Sequence, residues 1–262
     1  MPAPPARTIP QAVQELCLAF PGAEEKRVPP HRDYRVTGKT FAWFVVNHHG
    51  DGRVALWLPM PKGAQLTFTG LAPRAYFIPP YVGHKGWLGI ELNRGLKWVE
   101  IAARVREAWA HVAPASLASQ LDATPRVEPP TQDMAPEEID PLLGERPAAV
   151  LAEFDAHCRR FPEVTRDSQF GRPVWKAGKK SFAGAFHTNG RLGLDFWVGV
   201  EQQAMMTPDP RFTIPKYTGH NGWINLDVDD HLDWKEIDAL LEDSYRHFAL
   251  KRMLRALGTM RE

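Results

Sequence analysis

The sequence predicts an α+β protein built from two similar units, each an antiparallel sheet with helices packed on one face. The chain has 262 residues, which exceeds the about 100–150 residues of a common compact domain and suits two. Hydrophobic residues make up 44% and charged residues 24% of the chain, a composition typical of globular proteins rather than of disordered or disulfide-dense ones. An internal repeat then sets the boundaries of the two units.

The repeat is clearest in a block rich in glycine and aromatic residues. Residues 81–87 read YVGHKGW, and residues 217–223 read YTGHNGW. Because self-similarity of this kind marks duplicated structural units, we place copy one at 9–115 and copy two at 148–256. Residues 116–147 contain seven acidic and two basic residues together with several prolines. This composition predicts a solvated, acidic linker between the copies.

The same order of elements is predicted for both copies. Each begins with an amphipathic helix that ends at a Phe-Pro step, at Phe20 and at Phe161, because the residue before a proline disfavours the helical region. A hairpin follows, over 41–47 and 53–58 in copy one and over 182–187 and 191–198 in copy two. A further strand, at 87–92 or 223–228, and a long amphipathic helix, at 97–112 or 233–248, complete the copy. Strands do not alternate with helices, so a parallel doubly wound sheet is excluded.

Several classes of protein are excluded by what the sequence lacks. No apolar run approaches the about 18–20 residues that cross a bilayer, and residues 1–7 lack the apolar core of a secretory signal. We therefore expect a cytoplasmic protein with no membrane partner. Cys17 and Cys158 hold the same place in the two copies, which indicates a small, semi-buried helix residue rather than a disulfide or a metal ligand. Phosphate-binding loops, dinucleotide motifs, zinc-protease motifs and nucleophile elbows are missing, so we predict no cofactor, no metal and no catalysis.

The combined motifs resemble the MmcQ/YjbR family. The block at 79–87 and 215–223 is followed in each copy by a helix that starts Asp-Trp-x-Glu-Ile, with Lys97 in place of the aspartate in copy one. The Phe-Pro steps and the Gly-Lys elements at Gly38 and Gly178 fit as well. The resemblance implies a fold similar to that of the bacterial frataxin homologue CyaY. It also implies DNA binding, and one founding member lies in a mitomycin resistance gene cluster. A tandem fusion departs from the single domain usual in that family.

The Gly-His-x-Gly-Trp block is the first candidate site. Its two glycines permit a tight turn. One interpretation is architectural: the histidine hydrogen-bonds backbone groups of the turn and the tryptophan packs on the core. The other is a ligand or nucleic-acid site with an imidazole and a flat aromatic wall. The candidate residues are Tyr81, His84 and Trp87 in copy one and Tyr217, His220 and Trp223 in copy two.

Basic residues near the first hairpin are the second candidate site. Cations interleaved with aromatic residues can contact phosphates and stack on bases or planar drugs, although lysines also protect ordinary sheet edges. Residues 9–115 hold 13 Lys/Arg and 8 Asp/Glu, whereas residues 148–262 hold 16 of each, so copy one is the better candidate for an anionic partner. The candidate residues are Arg32, Arg35 and Lys39 in copy one and Arg172, Lys176 and Lys179 in copy two.

These observations predict a non-enzymatic protein that binds DNA, mainly through copy one. The alternative is a protein that binds or sequesters a planar small molecule, which would use an enclosed pocket near Trp87 or Trp223. An enzyme would need His84 or His220 in a cleft with a second titratable group. We also expect the two copies to pack on each other as a pseudo-dimer.

Overall fold

The computed structural model describes residues 6–28, 31–188, 190–228 and 231–259. The N-terminal stretch used above to exclude a secretory signal therefore lies mostly outside the described residues. The chain divides into two compact units, one ending at Ile139 and the other beginning at Asp140. Each unit is a six-stranded antiparallel sheet with helices, which confirms the predicted α+β class and the duplication.

The first unit has the sheet order β1-β2-β3-β4-β6-β5, and all neighbouring strands are antiparallel. The predicted long helix begins at Trp98, directly after its N-cap residue Lys97. The elements in chain order are α1 (Ile9–Leu18), β1 (Ala23–Val28), β2 (His31–Val36), β3 (Lys39–Val46), β4 (Val54–Pro59), α2 (Ala64–Leu71), β5 (Tyr76–Phe77), β6 (Trp87–Glu91), α3 (Trp98–Val112), α4 (Ala115–Ala118) and α5 (Pro136–Ile139).

The second unit repeats this topology, with the order β11-β12-β10-β9-β8-β7. Its last long helix is capped by the Asp233 carboxylate, which accepts hydrogen bonds from the backbone N–H groups of Lys235 and Glu236. The elements in chain order are α6 (Glu145–Cys158), β7 (Val164–Gln169), β8 (Arg172–Ala177), β9 (Lys180–Thr188), β10 (Arg191–Trp197), α7 (Val200–Met206), β11 (Phe212–Thr213), β12 (Trp223–Asp227), α8 (Trp234–Phe248) and α9 (Lys251–Thr259).

The main core of each unit lies between one face of the sheet and its helices. In the first unit, residues of α1 and α3 such as Leu16 and Trp109 pack on strand residues such as Phe44 and Leu56. Cys17 is fully buried in this core, and burial raises the pKa of its thiol. Cys158 lies in the core of the second unit in the same way, and both thiols are free. The cysteines are therefore packing residues of equivalent helices, as predicted.

Strands β1 and β2, and their counterparts β7 and β8, were not located by the sequence pattern. The residues of β1 and β7 are mostly charged or polar, because both strands lie at sheet edges, where charged side chains protect against edge-to-edge pairing. The pairing of these strands also aligns the two copies. Lys39 pairs with Val36 in one hairpin and Lys180 pairs with Ala177 in the other. The structural counterpart of Lys39 is therefore Lys180, one residue beyond the Lys179 that sequence alignment matched to it.

Much of the segment predicted as a linker lies against the first unit. Leu117, Leu121, Val127 and Met134 pack on the first core. The Thr131 backbone N–H donates to the Arg7 carbonyl at 2.9 Å, next to a bridge between Thr8 and Gln132. The division between the two compact units falls at Ile139, inside the predicted linker. Within the described ranges, no helix is long and apolar enough to cross a membrane.

Candidate binding surface

The Gly-His-x-Gly-Trp block is held in place by a glutamine in each unit. In the first unit the Gln65 side-chain amide on α2 donates to the carbonyls of Gly83 at 2.8 Å and Trp87 at 2.5 Å. In the second unit Gln203 on α7 donates to Gly219 at 2.9 Å and Trp223 at 2.6 Å. We call this arrangement the glutamine clasp. It ties both ends of the block to a short helix, which gives the block an architectural role.

The glycines of the block are required by the close packing of this turn. Gly86 and Gly222 have φ of +83° and +85°, the left-handed region that favours glycine. A Cβ on Gly222 would lie 2.6 Å from the Cα of Gly199, whereas the nearest atom to a Cβ on Gly86 would be the Met60 carbonyl oxygen at 3.8 Å. In the second unit, the backbone at Gly222 is therefore packed closely against the backbone at Gly199.

The histidines of the block do not take part in the clasp. His84 and His220 are exposed, and neither imidazole is hydrogen-bonded to any residue that the structure describes. The predicted hydrogen bonds from these histidines to the turn backbone are therefore wrong, because the glutamines occupy those carbonyls instead. Acid–base chemistry at either imidazole also lacks a hydrogen-bonded second titratable group within the described chain.

The tyrosines and tryptophans of the block have different surroundings in the two units. Tyr81 has φ +62° and is 64% exposed, and its hydroxyl lies 3.0 Å from His49 Nε2. Tyr217 is 80% exposed, with the Lys216 ammonium 5.5 Å from its ring centre. Trp87 packs on the face of the sheet opposite α1 and α3. Trp223 instead packs near Phe248, with ring centres 5.8 Å apart.

That opposite face of the first sheet is lined by aromatic residues. Residues directly paired across antiparallel strands point to the same side, and one such row runs Asp33, Trp43, Trp57, Gly89 and Phe77 across five strands. Trp57 is only 1% exposed and meets Trp43 edge to face, with ring centres 5.2 Å apart. We call the following set the aromatic face: Trp43, Val45, Ala55, Trp57, Phe77, Val82 and Trp87.

Three histidines border the aromatic face. His31 lies 5.7 Å from the Trp43 ring, and His48 lies 4.8 Å from the Trp57 ring, both measured between ring centres. Burial, together with the neighbouring His48 and His49, lowers the pKa of His31 to about 4. Burial, followed by His49, lowers the pKa of His48 as well. His31 and His48 are therefore uncharged at neutral pH and extend the aromatic surface.

The predicted basic residues of copy one do not form one surface. Strand alternation places Arg32 and Arg35 on opposite faces of β2. Arg32 lies toward α1, 3.5 Å from the Gln14 side-chain oxygen and 3.6 Å from Glu25, whereas Arg35 pairs with Asp33 at 2.5 Å. Lys39 is exposed in the β2–β3 hairpin and forms no ion pair within the described residues. Two of the three cations are therefore partly neutralised.

The predicted basic residues of copy two are also dispersed. The Arg172 guanidinium lies 5.1 Å from the centre of the Phe186 ring, a cation–π contact. Lys176 forms an ion pair with Asp167 on the neighbouring edge strand. Lys179 is exposed in the hairpin turn between β8 and β9. The structure therefore does not bring these three side chains together.

A different set of cations lies in the chain segment that supplies most of the aromatic face. Residues 54–90 contain no aspartate or glutamate and carry Lys62, Arg74 and Lys85. All three are exposed and form no ion pair with the described residues. Lys62 and Lys85 flank the position where Pro59, at the end of β4, pairs with Trp87, at the start of β6. We call these three residues the loop cations. In the sequence, the long run without an aspartate or glutamate could have indicated these cations as unpaired.

The equivalent row of the second sheet is polar. It runs Val174, Gly184, Asp195, Asn225 and Thr213, so Asp195 and Asn225 stand where the first unit has Trp57 and Gly89. Asp195 is half-buried as a residue, but its Oδ1 and the Oδ1 of Asn225 are closed to solvent and meet no hydrogen-bond donor in the part of the chain described. Burial raises the pKa of Asp195 to about 7, and the charge of Arg172 opposes this rise.

The second unit also contains a cavity of about 610 Å³ that the sequence did not indicate. It lies between α6 and the start of α8, with Trp234, Glu153 and Asp233 among its lining residues. It is therefore separate from the Gly-His-x-Gly-Trp blocks where a small-molecule pocket was expected. No cluster of three or more metal-ligating side chains occurs among the described residues.

The comparison with protein families agrees with the duplication. A sequence model of the family described as YjbR matches residues 18–111 and 159–247, which include both Gly-His-x-Gly-Trp blocks. Among solved structures, this chain is similar to a Deinococcus radiodurans protein with the domain DUF419, at 13% identity and a TM-score of 0.37. That similarity covers 47% of this chain and 99% of the other. No curated protein matches this chain.

Proposed function

Because the chain belongs to the YjbR family in both of its halves, we propose that it is a non-enzymatic DNA-binding protein whose first unit holds single-stranded DNA. The contact surface consists of Tyr81, the exposed edge of the aromatic face and the loop cations. The observation that carries the proposal is the segment 54–90, where three unpaired cations and no carboxylate accompany an exposed tyrosine.

The chemistry of this surface suits a single strand. Proteins that bind single strands combine cations along the backbone with aromatic rings on which bases stack. Tyr81 is the most exposed aromatic side chain near the loop cations, and the partly exposed Trp43 and Trp87 provide further ring surface. Stacking needs unpaired bases, whose faces are open, so duplex DNA would use only the cations.

The two arginines of β2 are less suited to phosphate contacts than the sequence suggested, because both already lie beside carboxylates. Asp33 already accepts a hydrogen bond from Arg35, and Glu25 lies 3.6 Å from Arg32 in an ion pair, so a phosphate would have to displace both carboxylates. The loop cations have no such competitors among the described residues. We therefore assign phosphate contacts to Lys62 and Lys85 before Arg32 or Arg35.

Fluorescence anisotropy of labelled DNA tests this proposal. We expect single-stranded DNA to bind more tightly than duplex, and binding to weaken between 50 and 200 mM salt, as counterion release requires. Lys62→Gln or Lys85→Gln should remove one phosphate contact each. Each change should reduce the steepness of the plot of log K against log salt concentration by about 0.7. Tyr81→Asn suits the left-handed backbone and should lose about 1–3 kcal/mol of stacking, which is about 5- to 150-fold in affinity.

The duplication supplies matched controls. Tyr217→Asn removes the equivalent tyrosine from the second unit, and Lys235→Gln removes an exposed cation from α8. Both variants should bind DNA like the unmodified protein. Absence of binding at low salt, or equal losses in the Tyr81 and Tyr217 variants, would contradict the proposed surface.

A planar small molecule is a second candidate ligand, favoured by the neutrality of the aromatic face. His31 and His48 are uncharged near neutral pH, and Trp43 remains partly accessible beside them. A stacked uncharged ring would bind with little dependence on salt. Salt-insensitive binding of an uncharged polycyclic compound, with no DNA binding, would favour this candidate.

A further inference from the structure

The duplicated sheets differ most at the centre of the face opposite their main helices. Where the first unit places Trp43 and Trp57, the second places Gly184 and Asp195 in the same register. Two indole side chains are thus replaced by a glycine and one short carboxylate. At these two positions the second unit therefore has a hydrogen-bonding group instead of ring contacts, and its side chains are smaller.

Two acceptors in this row lack donors. Asp195 Oδ1 and Asn225 Oδ1 belong to residues directly opposite each other on β10 and β12, and neither has a hydrogen-bond partner among the described residues. A buried acceptor without a donor destabilises the folded protein. Such groups are rare in native proteins, and ligand recognition is one reason to retain them. A ligand with two neighbouring N–H groups would satisfy both.

Glycines shape the space around the carboxylate. A Cβ on Gly184 would lie 3.3 Å from Asp195 Oδ2, so the missing side chain leaves that oxygen uncrowded on the β9 side. Two residues further along the same pair of strands, a Cβ on Gly193 would lie 2.3 Å from the Phe186 ring, so this ring lies against β10, and the Arg172 guanidinium lies 5.1 Å from its centre. The carboxylate therefore has an open backbone position beside it at Gly184.

The local charge favours a neutral ligand. Arg172 on β8 is the charged residue that acts on Asp195, and its positive charge opposes the rise in the pKa of that carboxyl. Its neighbours in the row, Gly184 on β9 and Asn225 on β12, carry no charge. A cationic ligand would be repelled by Arg172. A neutral ring with N–H donors would meet the carboxylate without that repulsion.

We propose that Asp195 and Asn225 form a recognition site for a neutral planar ring that presents two neighbouring N–H donors, the pattern of the N1 and N2 groups of guanine. The Asp195 carboxylate accepts hydrogen bonds from the two neighbouring N–H groups, and the Asn225 side-chain oxygen accepts one from the amino group at N2. Because acceptance requires the ionised carboxyl, affinity rises with pH through neutrality. This site belongs to the second unit and does not depend on DNA binding by the first.

Titration with nucleoside monophosphates tests the site, read by NMR from the side-chain amide signal of Asn225. GMP, IMP and AMP share their phosphate and sugar, so differences between them report the ring. We expect GMP to shift the Asn225 signal and to bind at least tenfold more tightly than IMP, which lacks the 2-amino group, and than AMP. The affinity for GMP should fall when the pH is lowered from 8 to 5.5.

Variants then locate the binding. Asp195→Asn removes the charge and should abolish the preference for GMP, and Gly184→Ala should weaken it by placing a methyl group 3.3 Å from the carboxylate. Asp167→Asn makes the same charge change at an exposed edge strand and should leave binding unchanged. Equal affinity for the three nucleotides, no binding of GMP at millimolar concentration, or tighter binding of methylguanidinium would overturn the proposal. Each of these results leaves DNA binding by Tyr81 and the loop cations untouched.

Discussion

Replacing Asp195 by asparagine should stabilise the second unit at alkaline pH and change it little in acid. The carboxyl has a pKa of about 7 in the folded chain and an ordinary value of 3.8 when exposed. A carboxyl with a raised pKa contributes stability that is complete below pH 3.8 and is lost as the pH rises through 7. The shift corresponds to at most about 4 kcal/mol, at 1.36 kcal/mol per pKa unit. Because the residue is only half-buried, we expect about 1–2 kcal/mol.

Hydrogen exchange followed by mass spectrometry measures this effect in the second unit alone. Peptides that cover β10 should exchange about 5–30 times more slowly in Asp195→Asn than in the unmodified protein at pH 8, after correction for intrinsic rates. The difference should shrink toward pH 5, where the native carboxyl is protonated. Asp167→Asn is the control, since the Lys176 ion pair and the Ser168 backbone N–H lower the pKa of Asp167. A destabilisation by Asp195→Asn that is equal at both pH values would refute the reasoning.

Three further outcomes are expected. Gln65→Leu leaves two backbone carbonyls without their donor and should lower the unfolding free energy of the first unit by about 1–3 kcal/mol, measured by urea denaturation. Gly222→Ala should destabilise more than Gly86→Ala in thermal unfolding, because both strain a left-handed backbone by about 1–2 kcal/mol but only the first clashes with Gly199; equal losses would contradict this. The lowered pKa of His31 contributes stability that is present above pH 6.5 and lost as the pH falls to about 4. This loss of stability should be about 1–2 kcal/mol after allowance for partial exposure. It should disappear in His31→Asn, and hydrogen exchange of peptides that cover β3 measures it.

The duplication and the α+β class were predictable because local patterns encode them. The repeated block and the amphipathic helices are contiguous in the chain, and α3 and α8 lie where their periodicity placed them. Equivalent burial of Cys17 and Cys158 followed from the same repeat. Cytoplasmic location, DNA binding and the packing of one copy on the other stay predictions.

The candidate site was harder to predict because strand register decides which side chains meet. Arg32 and Arg35 are close in sequence, but β2 sends them to opposite faces, and its charged composition hid the strand itself. Asp195 is the one polar residue between Leu192 and Trp197, an anomaly that could have marked it. Gln65 lies on α2, where a glutamine usually indicates a solvent-exposed position, and only the folded turn shows its role.

The glutamine clasp bears on what a motif match can mean for proteins of this fold. The block that identifies the family has a structural role. Its glycines form the turn, its carbonyls accept hydrogen bonds from the glutamine, and its histidine is exposed to solvent. Two domains can therefore share this block completely and still bind unlike molecules. The two halves of this chain share the block and differ in the central row, with indole rings in one sheet and a carboxylate in the other. Ligands in such domains are better inferred from the central strand row than from the signature that identifies them.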